Sequence, residues 1–218
     1  MNRRTVLRTA GMIGVASASA GCLGVLTGSQ PAEFASGTAT VSGSALEETG
    51  YESVGVESLE VDRTISVAGQ ERRVIVTNRL AQYDKSVDLP TGDSYRGALF
   101  ALLATPAVEV LGRSVNPVAE LGTGELARRV LSQYEGFGSL DEEGTETVSI
   151  LGTDTEVGLF LTEAEVTSDV TTEVRIHVAE AVRVEDDFVV AVGAYPTLMS
   201  EEGDAVGTLM ESVEHEPN

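Results

Sequence analysis

Alternating apolar and polar residues, interrupted at short intervals by turn residues, constrain the fold of this chain more than any other feature. Between residues 59 and 67 most apolar side chains share one parity and the polar ones the other, which is the period of a strand with one buried face. A second strand at residues 74–77 predicts a hairpin. Further strands are predicted at residues 98–104, 148–151, 157–166, 171–184 and 188–194. Because consecutive strands joined by short turns pair antiparallel, an antiparallel sheet is expected.

Two longer segments have the helical period instead. Thr123 precedes an amphipathic helix that extends to Tyr134, and Ser200 precedes a second amphipathic helix near the C-terminus. A short helix is predicted at residues 44–50. Helices that follow runs of strands predict an α+β fold, with a central antiparallel β-sheet covered by helices. We expect one such domain over residues 41–218.

The first 21 residues have the pattern of an export signal. Arg3 and Arg4 form a basic start, and residues 11–21 are uncharged. A stretch of this length is too short to span a bilayer, and it matches the apolar segment of a signal peptide. The adjacent arginines indicate the twin-arginine export route. Residues 1–21 are therefore predicted to be a twin-arginine signal peptide, and residues 22–40 a tether.

Cys22 is the only cysteine in the chain. The sequence Ser19-Ala20-Gly21-Cys22 resembles a lipobox, in which the signal is cut before the cysteine and the thiol is lipidated. Ser19 departs from the aliphatic residue that lipoboxes prefer. An alternative is that Cys22 is an incidental small residue in a leader that is cut elsewhere. Because one acyl chain anchors only weakly, durable attachment would need a second chain.

The charge balance is strongly acidic. The chain has 14 basic and 35 acidic residues, and beyond residue 21 there are 11 basic residues, for a net charge of −24. Lys85 is the only lysine. Such a surface resembles that of haloarchaeal secreted proteins, because at about 1 M salt the Debye length is about 3 Å and self-repulsion is screened. The alternative is an acidic surface for cations or a basic partner. Nucleic-acid binding is not expected, since the chain has no basic patch.

Part of the scarce positive charge lies in the predicted hairpin. The arginines there are Arg63, Arg72, Arg73 and Arg79. Cross-strand pairing with acidic neighbours is the favoured interpretation. An anion-binding strip is the alternative.

The two histidines are poor candidates for a catalytic triad, which needs a histidine held rigidly beside its partners. His177 has the opposite parity to the apolar residues of its strand, so it is predicted to face solvent. His215 falls in a predicted C-terminal tail at residues 214–218. No spacing of Cys, His and carboxylates predicts a zinc site, and no cofactor is expected.

A few acidic or glycine-containing turns could bind ions. The acidic candidates are residues 141–144, Asp186 and Asp187, but none matches a calcium loop. Glu180 interrupts the apolar parity of its strand, so its pKa is raised if it is buried. A bulge that places Glu180 outside is the favoured alternative. Gly122 and Gly124 could offer backbone N–H groups to an anion, although a helix cap is favoured.

Several segments resemble a known but uncharacterised family. They are Thr105-Pro106 leading to Gly112-Arg-Ser-Val-Asn-Pro117, the helix to Tyr134, and Phe188-Val-Val-Ala-Val-Gly-Ala-Tyr-Pro196 before an acidic helix. On these segments the chain resembles haloarchaeal lipoproteins of unknown function, and more distantly PsbP-like and LpqN-like α/β/α sandwiches. The resemblance implies a helix-covered antiparallel sheet and an exported accessory or binding role. It transfers no catalytic residue.

The favoured hypothesis is a non-enzymatic binding or accessory protein on the extracytoplasmic face of the membrane. Its partners would be membrane lipid, through Cys22, and an unknown envelope protein or ligand. The alternative is a surface hydrolase or cation-dependent enzyme that uses Glu180, Asp186 or Asp187. A purely structural envelope role is a third possibility. A buried cluster of His177 with carboxylates in a cleft would favour the enzyme.

Overall fold

The structure is a computed structural model that describes residues 31–67, 70–88, 94–110, 113–114, 116–133, 136–167 and 170–218. Arg3, Arg4 and Cys22 lie outside the described residues, as does Tyr134. None of the helices in the described ranges has the length and apolar character needed to cross a bilayer.

Strands make up most of the described chain. They are β1 (Ala32–Ala35), β2 (Thr38–Val41), β3 (Glu52–Val67), β4 (Gln70–Asp88), β5 (Ser94–Pro106), β6 (Glu109–Val110), β7 (Arg113–Ser114), β8 (Asp141–Ile150), β9 (Thr153–Thr167), β10 (Val170–Ala179), β11 (Val182–Val184), β12 (Asp187–Pro196) and β13 (Val213–Glu216). The helices are α1 (Gly43–Thr49), a 3-10 helix (Pro117–Glu120), α2 (Thr123–Leu131) and α3 (Glu202–Glu211).

Nine strands form one large sheet. Its path is β1-β4-β5-β12-β10-β9-β8, with β3 also paired to β4 and β11 also paired to β12. All pairs are antiparallel except β1 with β4. The predicted hairpin is confirmed as β3 and β4, and the predicted strand at residues 98–104 is confirmed within β5. After β5 the chain crosses to β8, at the opposite edge of the sheet. The later strand β12 then lies between β5 and β10 and joins the N-terminal strands to the C-terminal ones.

One face of the sheet, which we call the inner face, is covered over its central strands. Alternate residues of β5, from Ala98 to Ala104, are almost completely buried there. They belong to one core cluster with residues of α1, α3, β2 and β13. The short strands β2 and β13 pair with each other as a separate ribbon, so the cover of this face is part helix and part strand.

The opposite, outer face is covered over only part of its width. A second core cluster joins Leu126 and Ala127 of α2 to Phe160 of β9 and to β10 residues. On β4 and β5, the outer-face side chains of Leu80, Leu99 and Leu103 are only partly buried and belong to neither core cluster.

The predicted α+β class is therefore wrong, together with the helix-covered PsbP-like sandwich that it implied. The chain is β-rich, with one large mixed sheet. The sequence patterns placed strands within β3, β4, β5, β8, β9, β10 and β12 but understated the length of several: β4 has 19 residues and β9 has 15. They missed β1, β2 and β13, and they joined β10 and β11 into one strand. Helices of seven to ten residues are too short to cover so large a sheet, because each residue adds only about 1.5 Å of helix.

Candidate functional site

The candidate site is a polar network on the inner face, beneath the start of α3. In β10, Val174, Ile176 and Val178 pack into the outer cluster, so Arg175 and His177 point to the inner face. In the β10–β12 ladder, Arg175 is opposite Tyr195 and His177 is opposite Gly193. The antiparallel register therefore brings two basic side chains beside a tyrosine.

His177 links a carboxylate to the tyrosine hydroxyl. Its Nδ1 lies 3.1 Å from Glu146 Oε1, and its Nε2 lies 3.0 Å from the Tyr195 hydroxyl oxygen. Because an ionised carboxylate only accepts, Nδ1 of the neutral ring carries the hydrogen and Nε2 accepts from Tyr195. His177 is 4% exposed and Tyr195 is 2% exposed, whereas the Glu146 side chain is 41% exposed.

An ion pair lies beside this chain of hydrogen bonds. Arg175 Nε donates to Glu143 Oε2 at 2.7 Å, and this hydrogen bond lowers the pKa of Glu143. A β-bulge in β8 shifts the register between Glu142 and Gly144. The extra residue explains how Glu143 and Glu146, three positions apart, both reach the inner face. Burial is the main reason that the pKa of Tyr195 is raised.

The start of α3 covers the network. Gly193 of β12 lies directly under Val206, and a Cβ atom at Gly193 would be only 2.5 Å from Val206 Cγ1. A Cβ atom at Gly203 would be 3.0 Å from the Tyr195 hydroxyl oxygen. The two glycines thus allow α3 to pack against the sheet, and this packing removes His177 and Tyr195 from solvent.

The first residue of α3 makes a second buried polar group. Glu202 Oε1 accepts from Lys85 Nζ at 2.5 Å, and Lys85 Nζ lies 5.8 Å from the centre of the Tyr51 ring. In the described structure, neither the Tyr51 hydroxyl nor Glu202 Oε2 makes a hydrogen bond of standard geometry. Glu202 is nevertheless close enough that, after burial, its charge is the next cause of the raised Tyr51 pKa.

The pKa of His177 makes stability depend on pH. Burial lowers this pKa below its ordinary value of 6.5, although Glu146 opposes the shift. Below pH 6.5 the unfolded chain binds the proton on His177 more readily than the folded chain does. The free energy of unfolding therefore decreases as the pH is lowered. We expect urea unfolding to show a larger loss between pH 7.5 and 5.5 for the wild type than for His177→Gln. Glu173→Gln, an exposed change on the same strand, should keep the wild-type loss. Equal losses in wild type and His177→Gln would contradict this prediction.

The structure corrects the prediction for both histidines. His177 has the predicted parity, but α3 covers its face, so the expectation that it faces solvent is wrong. His215 belongs to β13, paired opposite Ala39, so the predicted tail is also wrong. His215 Nε2 lies 2.9 Å from Asp187 Oδ2, and Asp187 also accepts from the Gly37 backbone N–H at 2.8 Å. This buried clasp holds β12, β13 and the start of β2 together.

The predicted acidic candidates do not come together. Glu180 and Asp186 are exposed, whereas Asp187 is buried in the clasp with His215. Glu180 follows the last residue of β10 and is exposed, so its expected position outside is confirmed, but the cause is the break between β10 and β11 rather than a bulge. Residues 141–144 form the start of β8 rather than a loop. Among the described residues, no three His, Cys, Asp or Glu side chains form a group that could hold a metal ion.

The glycine turn before α2 and the hairpin arginines have structural roles. Gly122 is the N-cap of α2, so the favoured capping role is confirmed. Arg73 pairs with Asp62 across the hairpin at 2.5 Å, as the favoured interpretation of the hairpin arginines predicted. Arg79 bonds to the Ser58 hydroxyl.

Sequence reasoning missed Tyr195, Glu146 and the pair of Lys85 with Glu202. The parity of Tyr195 in its strand could have placed it on the same face as His177. No local sequence pattern could have placed Glu146 or Glu202 near this face, because both come from other parts of the chain.

Two surface cavities among the described residues lie away from this network. One, of about 320 Å³, is lined by Glu33, Phe34, Glu60 and Asn218, among others. The other, of about 370 Å³, is lined by Arg128, Leu131 and Phe137, among others. Neither is lined by His177, Tyr195 or Glu146. The cluster that would favour an enzyme is thus present only in part: His177 is buried, its carboxylate partner Glu146 is exposed, and neither of these cavities opens onto them.

Fold and site together define a β-rich domain built on one large sheet, with an internally bonded polar network under one helix. The chain belongs to the family described as Domain of unknown function (DUF6517), whose model matches residues 38–214. The prediction of an uncharacterised family is confirmed to that extent. The comparison with curated proteins found no match.

Proposed function

We propose that this protein is exported, anchored by lipid at Cys22 to the extracytoplasmic face of the membrane, and acts there as a non-enzymatic binding or accessory module. Support for the location comes from the sequence: Arg3 and Arg4 begin a short apolar leader, and the only cysteine follows its small residues. The net charge of −24 beyond residue 21 supports a salty exterior as the working environment.

The observation that carries the non-enzymatic role is the closed state of the polar network. A catalytic acid, base or nucleophile must reach a substrate proton or atom within hydrogen-bond distance. His177 and Tyr195 are almost completely buried beneath α3, so a substrate cannot approach the His177 ring or the Tyr195 hydroxyl. Such a network joins β8, β10 and β12 to one another beneath α3, which is a structural role.

A surface hydrolase remains the second candidate, with a different set of residues. Glu180, Asp186 and Asp187 do not form a site, but Glu146, His177 and Tyr195 form a continuous hydrogen-bonded chain. Its outer member, Glu146, has a side chain that is 41% exposed. That exposure offers a path for a proton between solvent and the buried pair.

The location is tested by changing the anchor. Cys22→Ser is expected to move most of the protein from the membrane fraction to the soluble exterior fraction, because the lipid is attached only through the thiol. Fractionation of salt-grown cells, with a high-salt wash to remove membrane partners, measures the change. Ser19→Leu, which improves the resemblance to a lipobox, is the matched control and should stay with the membrane. Full retention of washed Cys22→Ser would refute the anchor.

The binding role is tested with the same pair of proteins. Wild-type protein captured from membranes should retain a specific envelope partner or ligand, with Cys22→Ser as the unanchored control. A hydrolase activity that is present in wild type and lost in His177→Gln would overturn the non-enzymatic role and favour the second candidate.

A further inference from the structure

The β3–β4 hairpin extends beyond the rest of the sheet as an isolated two-stranded ribbon. β1 pairs with β4 only over residues 74–77, and β5 pairs with β4 only from Arg79 onward. Residues 70–73 therefore pair with β3 alone. We call residues 62–67 and 70–73 the hairpin arm. It consists of the isolated ribbon, residues 64–67 and 70–73, and of Asp62 and Arg63 at its base, which pair with Ile75 and Val74. Its described side chains are exposed on both faces, apart from the half-buried Ile65.

The hairpin arm carries a small positive charge in an acidic protein. It contains three arginines and two carboxylates, a net charge of +1. The rest of the chain beyond residue 21 therefore carries −25. Arg73 is paired with Asp62. Arg63 is exposed, and no ion-pair partner for it occurs among the described residues. Both guanidinium groups retain N–H donors that face solvent.

The chain enters the fold beside this arm. Ala32, the first residue of β1, is opposite Val74, at the base of the arm. Because β1 runs parallel to β4, the chain arrives at Ala32 from the side on which the arm projects. Residues 22–31 are ten residues, which span at most about 35 Å. Cys22 can therefore lie no further than this from the base of the arm.

We propose that the hairpin arm contacts the phosphate groups of the lipid surface to which Cys22 is anchored, through Arg63 and Arg73. The two arginines lie on opposite faces of the ribbon, since Arg63 is opposite Val74 and Arg73 is opposite Thr64. Both therefore reach the surface only when the arm meets it with its end or edge rather than with one face. This inference rests on the proposed anchoring.

Guanidinium groups bind phosphate through paired N–H donors, and an anionic leaflet attracts basic residues while it repels carboxylates. The arm is thus an end of the domain that an anionic membrane surface does not repel. Lys85, near the opposite end of β4, lies on the side that points outward.

The test uses the unique thiol to make the anchor chemically. Protein of residues 22–218 is coupled through Cys22 to maleimide lipid in phosphatidylglycerol vesicles or in phosphate-free galactolipid vesicles, at about 1 M salt. Amide hydrogen exchange is then measured along the chain. Exchange in the hairpin arm is expected to slow about threefold or more on the phosphate-containing surface alone.

Two variants of equal charge change locate the contact. Arg63→Gln with Arg73→Gln should abolish the slowing, whereas Arg128→Gln with Arg129→Gln on α2 should keep it. Amides of β5 and β12 report whether each variant is folded. Equal exchange on both vesicles, or slowing that survives the arm variant, would overturn the proposal. Equal slowing with free inorganic phosphate and no vesicle would also overturn it, because the arm would then be a phosphate site unrelated to the surface.

The chemical tether separates this inference from the proposed function. If cells do not lipidate Cys22, fractionation of Cys22→Ser fails while the vesicle result stands. If the arm does not contact lipid, the vesicle result fails while fractionation stands.

Discussion

Asp187→Ala is expected to lower the free energy of unfolding by about 3 kcal/mol, since removal of one member of a buried polar pair leaves the other uncompensated. Asp187 Oδ2 accepts from Gly37 N–H and lies 2.9 Å from His215 Nε2. The variant would leave the Gly37 amide and the His215 ring without that acceptor. Urea unfolding at fixed salt measures the loss.

Asp186→Ala is the matched control for this prediction. The two aspartates are adjacent in sequence and chemically identical, but Asp186 is exposed. Its replacement should change stability by less than about 0.5 kcal/mol. If both variants lost the same stability, the clasp between β12, β13 and the start of β2 would contribute nothing.

Gly193→Ala is expected to cost about 2 kcal/mol, because the added methyl group would overpack the contact between β12 and α3. Its Cβ atom would lie 2.5 Å from Val206 Cγ1 and 2.8 Å from Val206 Cγ2. Either α3 moves outward or Val206 leaves its position, and either change loosens the cover over His177 and Tyr195. Urea unfolding measures the cost, and exchange of the α3 amides shows where the structure loosens.

Two further variants sharpen this test. Val206→Ala creates room for the new methyl group, so the double variant should be less destabilised than the sum of the two single variants. Gly207→Ala is the control: no atom lies within 4 Å of a Cβ there, and alanine favours a helix interior, so a gain of about 0.5 kcal/mol is expected. Additive losses in the double variant would show that the two side chains do not meet.

The pairing of strands was largely predictable because it depends on local patterns. Period-two alternation from Leu59 to Val67 and the return at Val74 placed the hairpin, and short turns required antiparallel neighbours. The helices were also found, although α3 begins after Glu201 rather than at Ser200. The prediction that failed was the arrangement of these elements into a sheet covered by helices. The number of helices did not reveal how much of the sheet they would cover.

Burial of the site residues was not predictable by the same route. Strand parity placed His177 correctly relative to Val174, Ile176 and Val178, but parity identifies two faces without saying which of them is covered. The cover comes from α3, which lies 25 residues after His177 in the chain. Likewise, His215 looked like part of a tail because only two short strands, β2 and β13, hold it in place.

The sequence by itself determined the strand periodicity, the acidic charge, and the short uncharged stretch that precedes a single cysteine, since each depends only on residue type and order. Tertiary structure alone decided that His177 is bonded to Glu146 and Tyr195, and that Asp187 rather than Asp186 is held by His215. The physical reason is that these contacts join residues distant in sequence. They form only when the sheet sets the register and a helix or strand closes over it.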